Sequence, residues 1–164
     1  MRIESIKDYT SVLNDEELMT LANKIYMITV FMKNDYPNHK KWFFTRQLPE
    51  TLYSDRRNIL FVKDKDEIVG VANLLKDENE KKICTLYVKS EYRRQGIGSM
   101  LVEESIKWLN TKYPIISFTK KSYNICKPFI DKYNWKLTRI IKGFYKEGVE
   151  ELFFNILESN TRYK

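Results

Sequence analysis

The sequence predicts a mixed α/β fold: a mostly antiparallel sheet flanked by helices, in a single domain spanning residues 1–164. Three observations carry this. The length suits one hydrophobic core, and no repeat, low-complexity tract or Pro/Gly/Ser-rich linker divides it. Apolar residues make up 43% of the chain and aromatics 14%, against only five Gly and four Pro, so it has the means to fold. The apolar period also changes along the chain, from three- and four-residue steps before Pro49 to short β-rich runs between Asn58 and Val88.

The elements follow in order. "RIESI" reads as a first strand, and the acidic "NDEE" suits the start of a helix. Leu18, Leu21, Ala22, Ile25, Ile28, Thr29 and Met32 then form one stripe, predicting a helix from about Glu16 to Lys33. Trp42, Phe43 and Leu48 mark a second, shorter helix expected to end before Pro49. "NILFV", "EIVGVANLL" and "ICTLYV", separated by the polar "KDKD" and "KDENEKK", read as an antiparallel meander. An amphipathic helix follows in "IGSMLVEESIKWL", with Met100, Leu101, Ile106 and Leu109 toward the core. "PIISF" is a strand, "NICKPFIDKYN" a short helix, and "WKLTRIIKGFY" and "EELFFNIL" hold the last two strands.

Directly before the central helix stands "YRRQGIGS". The first turn of a helix carries unpartnered N–H groups and a partial positive charge, so it seats phosphate oxygens well. Gly96 and Gly98 let main chain approach a ligand closely, and Arg93 and Arg94 add forked cationic donors. A P-loop is excluded, because no Lys precedes Ser99 and no earlier glycine is correctly spaced. A dinucleotide fingerprint is weak: Leu101 occupies its third glycine position and about eight residues separate Val88 from Gly96.

The remaining pattern, R-x-x-G-x-G at Arg93, Gly96 and Gly98 after the strand "TLYV", resembles the acetyl-CoA motif of the GNAT acetyltransferase family, whose element order the whole chain shares. The resemblance implies a GNAT-like sheet with helices on both faces. It implies that Arg94, Gln95, Gly96, Ile97, Gly98 and Ser99, with Arg93 beside them, hold the coenzyme A pyrophosphate. Leu86, Tyr87 and Val88 would offer main-chain groups to the pantetheine arm, and Asn124 would touch it. The activity implied is acetyl-CoA-dependent N-acetyl transfer by direct attack of an amine on the thioester. An alkyl ammonium of pKa ~10.4 is less than about 0.1% neutral at pH 7, a deficit of roughly 4–5 kcal/mol, so a base or water relay is expected.

Glu80, in the turn before the motif strand, is the candidate base. The family's proton-donating tyrosine has no counterpart, since Ile130 falls at its position, and Tyr123 and Tyr133 are the candidate substitutes. Tyr36, Trp42, Phe43, Phe144 and Tyr145 are candidates to line an acceptor cleft. The acceptor itself stays open among a small amine, a protein amine and an aminoacylated RNA, and a homodimer is also open.

With His39 as the only histidine and no C-x-x-C pair, no metal site is expected. Cys84 and Cys126 read as small apolar residues, and His39, in the polar "PNHKKW", as solvated. The first ten residues hold no run of seven or more apolar residues, against a secretory signal, and the longest apolar stretch, "IYMITVFM", is too short to span a bilayer, so the expectation is a soluble cytoplasmic protein. A net charge of +7 favours anionic partners in general. Two other functional classes stay in view: a non-catalytic acyl-CoA-binding module, suggested by the missing tyrosine, and a nucleic-acid-binding protein, suggested by the charge.

Overall fold

The computed structural model describes residues 1–163. Strands β1 (Arg2–Ser5), β2 (Arg57–Asp64), β3 (Glu67–Lys76), β4 (Lys81–Val88), β5 (Ile115–Thr119), β6 (Leu137–Lys142) and β7 (Glu150–Phe154) form one sheet. Their spatial order is β1, β2, β3, β4, β5, β7, β6, and every neighbouring pair is antiparallel except β4 with β5. The expected meander is β2, β3 and β4. Helices α1 (Asp15–Met27), α2 (His39–Trp42) and α3 (Leu48–Tyr53) cover one face, called the front here, and α4 (Ile97–Leu109) and α5 (Tyr123–Tyr133) cover the back.

Two cores result. The back core joins Leu74, Ile83, Phe118 and Phe154 of the sheet to Ile97, Leu101, Val102 and Leu109 of α4 and Ile130 of α5. The front core joins Ile59, Phe61 and Val71 to Leu21, Ala22, Ile25 and Tyr26 of α1 and to Phe43 and Leu48. A smaller cluster of Ile115, Phe153, Ile156 and Tyr163 covers the front of β5 and β7 with the C-terminal segment.

Two helix boundaries differ from the sequence expectation. The first helix stops at Met27 instead of continuing to Lys33, because the Thr29 hydroxyl takes the Tyr26 carbonyl and contacts His39 Nε2 at 3.0 Å; a 3₁₀ turn, Val30–Asn34, follows. The second helical segment does not end before Pro49. A π-type turn at Phe43–Gln47 widens the backbone, and the helical path runs on through Pro49 at the start of α3.

His39 is also not solvated. It is 5% exposed, stacked between Tyr26 and Trp42, and burial lowers its pKa to about 4. Between about pH 6.5 and 4 the unfolded chain therefore binds the proton that the folded chain refuses, and stability falls as pH falls through that window. The expected loss is on the order of 2–3 kcal/mol. Urea midpoints from pH 7 to 4 check this, with a flatter profile expected for His39→Gln.

Candidate active site

The site begins with an interruption in the sheet. The parallel β4–β5 ladder has only two pairs, Lys82 with Ile115 and Ile83 with Ile116. Past them the register of β4 against β3 jumps from Ile83 to Thr85, leaving Cys84 as the extra residue of a β-bulge. β4 and β5 then part: Thr85–Val88 pair only with β3, and Ser117–Thr119 only with β7. The alternation along β4 fixes which groups face the opening. The Lys89 amide donates to Val69 of β3, which puts Tyr87 in the next bonded pair and turns the main-chain groups of Leu86 and Val88 the other way. Of the three strand residues assigned to the pantetheine arm, two thus present their backbone to the opening, while Tyr87 is spent on β3.

At the C-terminal end of this opening lies the glycine corner. Arg94 (φ 62°) and Gly96 (φ 84°) are both left-handed, a sequence of turns that points successive N–H groups to one side. Among the described residues, the main-chain N–H groups of Gly96, Ile97, Gly98 and Ser99 have no hydrogen-bond partner; the first α4 bond is Met100 N–H to Gly96 O. The two glycines serve different ends. A Cβ on Gly96 would meet nothing, so that position needs glycine for its backbone angle; a Cβ on Gly98 would lie 2.5 Å from Phe129 Cζ, so that position needs it to pack α4 on α5. Arg93 braces the corner, donating from Nε to the Val88 carbonyl at 3.0 Å with its guanidinium over Tyr87. Gln95 Nε2 donates back to the Glu91 carbonyl, so its side chain also turns inward on the loop.

A sheet that parts beside a helix N-terminus with four free amides is a cradle for an extended molecule bearing phosphates. Residues 16–125 match the model of the acetyltransferase (GNAT) family. The chain belongs to the GNAT acetyltransferase family. Solved structures share the fold. One described as a GNAT-family acetyltransferase from Desulfovibrio desulfuricans aligns with TM-score 0.64 at 11% identity, over 93% of this chain and 96% of that one. A GNAT acetyltransferase from Elizabethkingia anophelis with acetyl-CoA bound aligns with TM-score 0.54 at 20% identity, over 70% and 80%. A Bacillus anthracis structure described as a streptothricin acetyltransferase in complex with acetyl coenzyme A gives TM-score 0.57 at 19% identity, over 66% and 67%. No curated protein sequence matches the chain. No helix among the described residues is long and apolar enough to cross a membrane, and no group of three or more His, Cys, Asp or Glu gathers to hold a metal.

On this GNAT scaffold the residues expected to do acid–base work are scattered. Glu80 is buried at the far end of β4, ion-paired with Arg162 and accepting from the Tyr163 hydroxyl at 2.5 Å. Lys82 donates to the hydroxyls of Tyr145 and Tyr163, both at 3.1 Å. Burial works against the Lys82 charge, but the phenols and the Cys84 thiol around it hold its pKa above the ordinary value. Tyr133 ends α5, with its hydroxyl 3.3 Å from Glu103 of α4 and its ring on Trp135, so it lies at the opposite end of that helix from the opening. Tyr123 and Asn124 start α5 just past β5, the first half-buried and the second exposed. Both cysteines are free, and burial pushes Cys126 up to about 12, well away from a reactive thiolate.

Of the aromatics expected to line a cleft, Phe43 is core. Phe144 packs on Phe153 and Tyr163. Tyr36 and Tyr145 meet edge to face at 5.2 Å on the front of β5 and β7, and Phe31, 46% exposed, packs at a tilt on Tyr87 with ring centres 4.8 Å apart. The connection from Thr29 to Asn38 thus crosses the front of the opening. It is tied by Asp35 to Lys121, by the Asn34 carbonyl to Lys146, and by Tyr36 to Glu151 of β7. Sequence reasoning missed Glu151. It sits in "EELFF" without any motif, and only the pairing of β7 with β5 brings it beside the opening.

Proposed function

We propose that the chain is an acetyl-CoA-dependent N-acetyltransferase of one domain, moving the acetyl group from the thioester directly to an amine. The observation that carries this reading is the conjunction of four unpartnered amides at Gly96–Ser99 with the edge of Leu86 and Val88 that no strand pairs, whose Val88 carbonyl accepts from Arg93. The corner amides fit a diphosphate, and the strand edge fits the amide groups of an extended pantetheine arm. Arg94 and Gln95 flank the diphosphate, Arg93 holds the edge by its bond to Val88, and Asn124 is within the mouth at the start of α5. The opening narrows where β4 and β5 meet, so the thioester is aimed at the bulge around Cys84, and the amine approaches from the front under the Thr29–Asn38 connection. Alignment of the two reactants is the first contribution of the chain; the second is proton removal from the amine.

Calorimetry with acetyl-CoA, followed by mass spectrometry of amines incubated with both, tests the reading. Binding with acetylated product is expected. Binding without product from any amine would favour an acyl-CoA-binding module, and no binding would end the proposal. Tyr123, at the mouth, is the phenol suited to protonate the departing thiolate; Tyr123→Phe is expected to lower kcat about tenfold or more and Tyr133→Phe to leave it unchanged.

A further inference from the structure

The geometry points to Glu151 as the proton acceptor for the attacking amine, with Tyr36 as the residue that positions its carboxylate. This rests on the acetyl-transfer reading and names a residue for it. Glu151 is paired across the sheet with Thr119, and Ser117, the first β5 residue past the last β4 pair, lies on the same front face. The carboxylate is thus placed directly behind the rim of the opening and is 2% exposed. Unlike Glu80, it has no arginine or lysine within ion-pairing distance among the described residues. The Tyr36 hydroxyl donates to Oε1 at 2.9 Å from the connection that crosses the opening, and the Ser117 hydroxyl stands beside the carboxylate from β5.

The groups facing it come from every packed element: Tyr36 and Asp35 from that connection, Ser117 from β5, and Lys82 from β4. Tyr145, from the β6–β7 turn, stands against both Tyr36 and Lys82. Burial raises the Glu151 pKa to about 7, while the bonds from Tyr36 and Ser117 and the Lys82 charge restrain the rise. A carboxyl poised there is ionised often enough to accept a proton and basic enough to hold it.

The step balances as follows. An N–H bond of the ammonium breaks and its proton passes to Glu151. The freed nitrogen lone pair forms the C–N bond at the thioester carbonyl. The C–S bond breaks with its electron pair on sulfur, the Tyr123 hydroxyl gives its proton to the thiolate, and the second nitrogen proton restores the phenol. The products are the acetamide, free coenzyme A thiol and protonated Glu151, which releases its proton to solvent.

The test uses the full chain, acetyl-CoA, and a panel of L-alaninamide, spermidine, glucosamine and a lysine-containing peptide, taking the best acceptor. Glu151→Gln keeps an acceptor for the Tyr36 hydroxyl, so it is expected to fold and to bind acetyl-CoA with native affinity by calorimetry. Its kcat/KM is expected to fall about 100-fold or more. The native profile should rise with pH through a midpoint near 7, and the variant should lose that limb. Tyr36→Phe, which removes a bond favouring the carboxylate, should move the limb to higher pH, and Glu151→Asp should restore part of the rate. Glu151→Gln with kcat/KM within about threefold of native and an unmoved limb would overturn the assignment. Failure of the native chain to bind acetyl-CoA, or to acetylate any of the four amines, would instead overturn the acetyl-transfer reading and the assignment with it.

Discussion

Gly96→Glu is expected to remove most of the thermal stabilisation that acetyl-CoA gives the native chain. A ligand at 100 times its Kd stabilises the folded state by about 2.7 kcal/mol, which for a chain of this size is a rise in Tm of roughly 5–10 °C. A glutamate at Gly96 sets a carboxylate among the amides that would face the diphosphate, and like charges so placed cost several kcal/mol. A 100-fold loss of affinity leaves only about 0.4 kcal/mol of that stabilisation, under 2 °C. Because a Cβ at Gly96 meets nothing within 4 Å, the fold tolerates the side chain, apart from the strain of a left-handed angle of about 1–2 kcal/mol. Gly96→Ala carries the same strain without the charge and should keep most of the acetyl-CoA shift. Differential scanning fluorimetry of the three proteins separates these effects; an undiminished shift in Gly96→Glu would place the ligand elsewhere.

Glu80→Ala is expected to be the most damaging single substitution in the front polar cluster, costing about 1–3 kcal/mol. Its side chain is 4% exposed and holds both the Arg162 guanidinium and the Tyr163 hydroxyl. Removing it leaves the buried Tyr163 phenol, which also accepts from Lys82, without its carboxylate acceptor. The C-terminal segment, anchored by Tyr163 against Phe153 and Phe144, should loosen with it. Urea denaturation measures the loss. Glu80→Gln, which can still accept from Tyr163, should lose less and keep kcat close to native; a loss of kcat as deep as that of Glu151→Gln would make Glu80 the base.

The scaffold was legible because its signals are local. The three- and four-residue steps of Leu21, Ala22 and Ile25, the β-branched runs of β2 to β4, and the glycines before Ile97 each report on neighbours within a few residues. The C-terminal end of α1 and the continuation through Pro49 were not legible. They depend on Thr29 meeting His39 ten residues away, and on a π-type turn that makes room for the proline ring. The acid–base groups were the hardest to find. Glu80 stood beside the motif strand and attracted attention for its position, yet its partners Arg162 and Tyr163 lie 82 and 83 residues on. Glu151 finds Tyr36 across 115 residues, through a strand order in which β7 inserts between β5 and β6. No spacing rule reports such a contact.

The central claim is that the peptide hydrogens of the corner grip the cofactor's diphosphate. Amide-resolved NMR of the ¹⁵N-labelled chain, titrated with acetyl-CoA, tests it most directly. The signals of Gly96, Ile97, Gly98 and Ser99 should shift the most, together with those of Leu86 and Val88. Saturable binding that moves other amides while leaving these six in place would contradict it.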